Sequence, residues 1–90
     1  MLKKLKTSRR SASARGRRFA IVCAEYNPEF VEPLLSAAEH ELRAAGARPK
    51  NVLVVRVPGS FEIPIAAAGL ARSGKFDAIL ALGVVLQGKT

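Results

Sequence analysis

Residues 19–24 read FAIVCA, six apolar side chains in a row with Arg17 and Arg18 before them and Glu25 after. A strand with one wet face alternates apolar with polar residues. A run without alternation belongs to a strand covered on both faces, the usual condition of a parallel sheet. Two later runs have the same character, VLVVRV at 52–57 and FDAILAL at 76–82. Each pair of runs is separated by a segment of helical spacing, which is what a parallel crossover requires.

The first helical segment covers residues 29–45. Its apolar side chains recur at Val31, Leu34, Leu35, Ala38, Leu42 and Ala45, three and four apart, and form one buried stripe. Asn27-Pro28 is a start signal and Gly46 followed by Pro49 a stop. Pro33 has no N–H to give outside the first turn, so the regular helix is expected to begin at Glu29 or later. The second segment covers 62–73, with Ile63, Ala66, Ala67 and Leu70 inward, Pro64 in its first turn and Gly74 as its C-terminal cap.

The order β-α-β-α-β, with right-handed crossovers, predicts an α/β fold of flavodoxin-like type. It is a three-layer sandwich with a parallel sheet in strand order 2-1-3 and one helix on each face. Three strands and two helices make a thin core, and the last run has no helix after it. The chain is therefore expected to be the front part of a longer domain, with a fourth strand missing from this portion.

The net charge of +8 over 90 residues is unevenly placed. Residues 1–18 hold eight Lys and Arg and no acid; the remainder holds seven of each sign. That first segment has almost no apolar content and is read as a disordered basic tail, leaving 19–90 as the folded portion. A basic tail can seek nucleic acid, an anionic membrane surface or an acidic cargo, and more often it is only a solvated extension. Its Arg and Ser content also fits a transit peptide. A secretory signal does not fit, because FAIVCA is too short for the apolar core of one. No stretch approaches the length of a membrane span. The single cysteine, Cys23, suits a reducing, cytoplasmic setting and is read as an inert core residue with no base beside it.

In open α/β sheets ligands bind beyond the carboxyl ends of the strands, where the strand order reverses. Three segments meet there: Glu25-Tyr26-Asn27, Pro58 to Glu62, and Gly83 to Thr90. Tyr26 offers a ring face for stacking, or packs at the domain boundary. Gly59 allows positive φ or close backbone approach. Ser60 and Glu62 stand at a helix N-terminus. Glu62 is either a favourable helix-start acid or an acceptor for a polyol's hydroxyls, and Phe61 packs on the ligand or on the core. The one histidine, His40, lies among Glu39, Glu41 and Arg43 on a polar helix face. No Cys and His spacing suggests a metal.

The ending GVVLQGKT, 83–90, matches the G-x-x-x-x-G-K-T phosphate loop of nucleotide hydrolases. Such a loop must curl around phosphates, and Val84 and Val85 favour extended backbone, which argues against it. Gly88-Lys89-Thr90 still offers an N–H, a cation and a hydroxyl to a small anion.

AEYN (24–27), VPGSFEIP (57–64) and DAILALGVVLQGKT (77–90) together resemble the 6,7-dimethyl-8-ribityllumazine synthase family, over residues 19–90. The resemblance implies condensation of 5-amino-6-(D-ribitylamino)uracil with 3,4-dihydroxy-2-butanone 4-phosphate, without cofactor or metal. It implies that Tyr26 stacks on the pyrimidine, a position more often Phe in the family. Ser60, Phe61 and Glu62 then hold the ribityl side and ring, Val84, Val85 and Leu86 line the ring, and Lys89 and Thr90 dock the phosphate. It further implies a proton-transfer His two positions past Thr90, so that these 90 residues alone are expected to be inactive. The family's sites form between subunits of a pentamer, sometimes within a sixty-subunit shell. The rival expectations are a nucleotide-binding P-loop protein and a flavodoxin-like binding module whose basic tail takes nucleic acid.

Overall fold

The computed structural model describes residues 13–87. Lys89, Thr90 and residues 1–12 lie outside the described residues, and with them the phosphate-docking and most of the tail expectations.

Three strands and two helices alternate: β1 (Phe19–Ala24), α1 (Pro28–Ala44), β2 (Val52–Val57), α2 (Ile63–Ser73) and β3 (Ala78–Leu82). The sheet is parallel in the order β2-β1-β3, as expected. Ile21 lies level with Val54 and Leu80 in the two ladders.

β1 is central, and Ala20 through Ala24 are each at most 1% exposed. Its side chains alternate between two cores. Ile21 and Cys23 pack with Val31 and Leu35 of α1, while Val22 and Ala24 pack with Val57 and Ile63 at the start of α2. The helices therefore cover opposite faces, and this is why FAIVCA has no polar position. Each fully buried Val or Ile contributes on the order of 1.5–3 kcal/mol.

The expected stripe on α1 is buried at Val31 and Leu35 and half-buried at Ala38 and Leu42; Leu34 and Ala45 are exposed. α1 begins at Pro28, one residue earlier than expected. Pro28 takes the first helical position, where its fixed φ fits and no N–H is needed. Pro33 then lies inside the helix and leaves the Glu29 carbonyl without its usual donor. Both residues are exposed, so water can reach that carbonyl. The helix ends as a Schellman turn: the Gly46 N–H donates to the Arg43 carbonyl (3.0 Å) and the Ala47 N–H to the Leu42 carbonyl (2.9 Å), with Gly46 at φ 112°.

Residues 13–18, read from sequence as part of the tail, pack on the domain. Ala14 is 4% exposed and its N–H donates to the Ala45 carbonyl (3.0 Å). The Arg18 N–H donates to Asp77 Oδ2 (2.7 Å), and the Asp77 N–H donates to the Arg18 carbonyl (2.8 Å). Asp77 is thus occupied in holding the chain that enters β1, and β3 starts at Ala78, two residues later than the expected Phe76.

Candidate ligand-binding site

The ladder between β1 and β2 continues past both strands. The Glu25 N–H donates to the Val57 carbonyl (2.7 Å) and the Tyr26 N–H to the Pro58 carbonyl (3.1 Å), tying the first two carboxyl-edge loops together. The chain then turns at Asn27, the one non-glycine residue with positive φ (60°) among the described residues. Asparagine tolerates this region better than most side chains. Its carbonyl accepts from the N–H groups of Phe30 (3.0 Å) and Val31 (3.1 Å), opening α1.

The second loop is a single 3₁₀ turn, Ser60–Glu62, running directly into α2. The Glu62 N–H donates to the Gly59 carbonyl (3.1 Å), and the Glu62 carboxylate accepts from the Gly59 N–H (2.8 Å). This reciprocal pair fixes the turn. Gly59 is extended at φ −147°, so it does not supply positive φ. A Cβ there would sit 3.2 Å from the Glu62 carboxylate, and this closeness is what the glycine provides.

The third loop leaves β3 at Gly83 and passes hard against the second. A Cβ on Gly83 would stand 2.6 Å from Ser60 Oγ and 3.0 Å from Ile63 Cδ1. The described part of this loop, 83–87, has no regular structure.

Between the three loops lies an open cleft of about 480 Å³. Tyr26 and Asn27 line it from the first loop, Ser60 and Phe61 from the second, and Val84, Val85 and Leu86 from the third. That volume suits a small organic ligand. Tyr26 is 71% exposed, Phe61 87% and Val85 77%, so rings and branched carbons face solvent in one patch. Stacking surface of this kind, with a hydroxyl and an amide at its margin, fits a flat polar heterocycle.

Six of the expected site residues thus converge: Tyr26, Ser60, Phe61, Val84, Val85 and Leu86. Glu62 does not line the cleft; its carboxylate is turned back onto Gly59. Asn27, Gly83 and Gln87 were not singled out as site residues, yet Asn27 and Gln87 line the cleft and Gly83 sets the approach of its two walls. The signal for Asn27 was available, as an Asn between a strand end and a proline.

Groups outside the cleft are quiet. Cys23 is fully buried, and burial pushes its thiol up, with Arg56 opposing more weakly. His40 is exposed. Arg56 pairs with Glu32 across β2 and α1 (2.6 and 3.3 Å), and that hydrogen bond holds the Glu32 carboxyl below its ordinary value.

A doubly covered parallel sheet in the order 2-1-3, with an aromatic-walled cleft at its carboxyl edge, defines an α/β domain of flavodoxin-like type. Residues 16–90 match the 6,7-dimethyl-8-ribityllumazine synthase family. The chain is 45% identical over 78 residues to the 6,7-dimethyl-8-ribityllumazine synthase of Desulfatibacillum aliphaticivorans, an overlap of 87% of this chain and 50% of the relative. With the same enzyme of Nitratidesulfovibrio vulgaris (strain DP4) the figures are 42% over 86 residues, 96% and 55%; with that of Phocaeicola vulgatus, 45% over 78 residues, 87% and 46%. The chain belongs to the 6,7-dimethyl-8-ribityllumazine synthase family, and it spans about half the length of these relatives. The match runs through Gly83–Thr90, so the P-loop pattern there is the family's own segment.

Proposed function

We propose that the protein is a 6,7-dimethyl-8-ribityllumazine synthase of riboflavin biosynthesis. It condenses 5-amino-6-(D-ribitylamino)uracil with 3,4-dihydroxy-2-butanone 4-phosphate, eliminating phosphate and closing the second ring. The observation that carries this reading is the convergence of Tyr26, Phe61 and Val84–Leu86 on one open cleft in a chain of this family.

In this reading the pyrimidine lies against Tyr26, Phe61 packs beside it, and the backbone of Val84–Leu86 meets its polar edge. Ser60 faces the ribityl chain. Glu62 acts chiefly by holding the Ser60–Phe61 turn, because one of its oxygens is already engaged by Gly59. Lys89 and Thr90 take the butanone phosphate, and the proton-transfer His lies two positions past Thr90, outside these 90 residues. Residues 1–90 alone are then inactive. The exposed rings of the cleft fit a site completed by a neighbouring subunit of a pentamer or larger shell, in the cytoplasm. The 19–90 portion is the domain's front part, preceded by a basic extension that residues 13–18 anchor.

The test is to incubate the full-length protein with both substrates and follow lumazine and phosphate together. Equimolar appearance of the two, lost in Phe61→Ala, is the expected result. Absence of lumazine from correctly folded wild-type protein overturns the reading.

A further inference from the structure

The amino edge of the sheet, opposite the ligand cleft, carries a second surface. Two open hollows lie there, of about 670 and 370 Å³. Arg15 and Arg48 line the first; Arg18, Lys75 and Phe76 line the second. Lys50 and Asn51, in the 3₁₀ turn Pro49–Asn51, line both and make the two hollows one continuous surface. Five cations face it, and no acidic side chain lines either hollow. The nearby carboxylate of Asp77 is held by the Arg18 N–H.

We propose that this edge is a binding surface for single-stranded RNA. A phosphodiester chain needs cations spaced along a groove rather than a single positive point, and Arg15, Arg48, Lys50, Lys75 and Arg18 supply them from loops far apart in sequence. Base recognition in a single strand rests on stacking faces beside such a groove. Phe76 supplies one, half-exposed, and the Asn51 amide adds a donor and an acceptor beside it. Residues 1–12, which precede this segment in the sequence, carry five more Lys and Arg and no acid. An anionic membrane fits less well: Leu53, 46% exposed, and Phe76 line the second hollow beside the cations, whereas membrane-surface binding favours apolar groups that project from a basic face. The surface is separate from the ligand cleft, so the proposal does not depend on the enzymatic reading.

The experiment is fluorescence anisotropy of a labelled oligouridylate of about 20 nucleotides with the full-length chain, repeated across a salt series. Wild-type binding should weaken with salt, at a log–log slope of about −0.7 per phosphate contacted. The triple variant Arg48→Glu, Lys50→Glu, Lys75→Glu should lose at least tenfold in affinity, with the slope flatter by about 2. Phe76→Leu, which keeps an apolar side chain but no ring, should lose about fivefold or more at unchanged slope. Unchanged thermal unfolding shows that the variants are folded. The proposal is overturned if the triple variant binds like wild type, if inorganic polyphosphate of equal charge binds as well as the oligonucleotide, or if phosphatidylserine vesicles are preferred to RNA.

Discussion

Replacing Gly83 by Ala tests how the cleft is built. The added Cβ would stand 2.6 Å from Ser60 Oγ and 3.0 Å from Ile63 Cδ1. Both are closer than ordinary contact, and the backbone at Gly83 is not in the positive-φ region, so the effect is purely steric. Overpacking of this kind costs roughly 1–3 kcal/mol. The loss of glycine's freedom in the unfolded chain returns roughly 0.4–1 kcal/mol. The net destabilisation is then about 0–2.6 kcal/mol with a centre near 1.3, and that centre corresponds to a fall in Tm of roughly 5–10 °C at about 4–8 °C per kcal/mol. Ser60 Cβ would lie 3.4 Å from the new methyl group, an ordinary separation, so Ser60→Ala should relieve most of the clash. Thermal unfolding of wild type, both single variants and the double variant completes a cycle, with a coupling of about 0.5–3 kcal/mol expected. Gly69→Ala is the control, since nothing lies within 4 Å of its added Cβ, and it should stabilise α2 by roughly 0.5–1 kcal/mol. If Gly83→Ala is as stable as wild type, or Ser60→Ala gives no relief, the packing of the third loop on the second is not as described.

Ile21→Ala empties the core under α1 and should cost about 2–5 kcal/mol in denaturant unfolding. The pH dependence centres on Glu32. Its folded carboxyl is held below the ordinary 4.5 by Arg56, so its contribution is present above that value and is lost as pH falls through the folded one. Glu32→Gln should therefore flatten the acid limb of a Tm-versus-pH curve, by a small amount because the pair is exposed, and the difference should shrink in 1 M salt. Cys23 should resist an aromatic disulfide reagent in native protein and react in urea, since the thiolate is suppressed and covered.

The strand pattern was legible because β1 lacks any polar position, and a strand between two helices buries Ala20 through Ala24 on both faces. The cleft followed from topology, since all three loops leave the same sheet edge. The start of α1 is less legible, because two prolines compete for its first turn: Pro28 fills the first helical position and Pro33 is carried inside the helix. The clasp between Arg18 and Asp77 was not legible: it joins residues 59 apart, and the composition around Arg18 looks like a free tail. For Glu62 the residue type allowed two roles. Only the 2.8 Å bond from Gly59 shows which way the carboxylate turns.

The central claim is that the cleft between Tyr26, Phe61 and Val84–Leu86 holds the ribitylaminouracil. The direct measurement is calorimetric titration of that substrate into folded wild type, Tyr26→Ala and Phe61→Ala. Aromatic stacking on a base is worth about 1–3 kcal/mol, so each variant should bind about 5- to 150-fold more weakly. Affinities within twofold of wild type for both variants would place the substrate elsewhere and contradict the account.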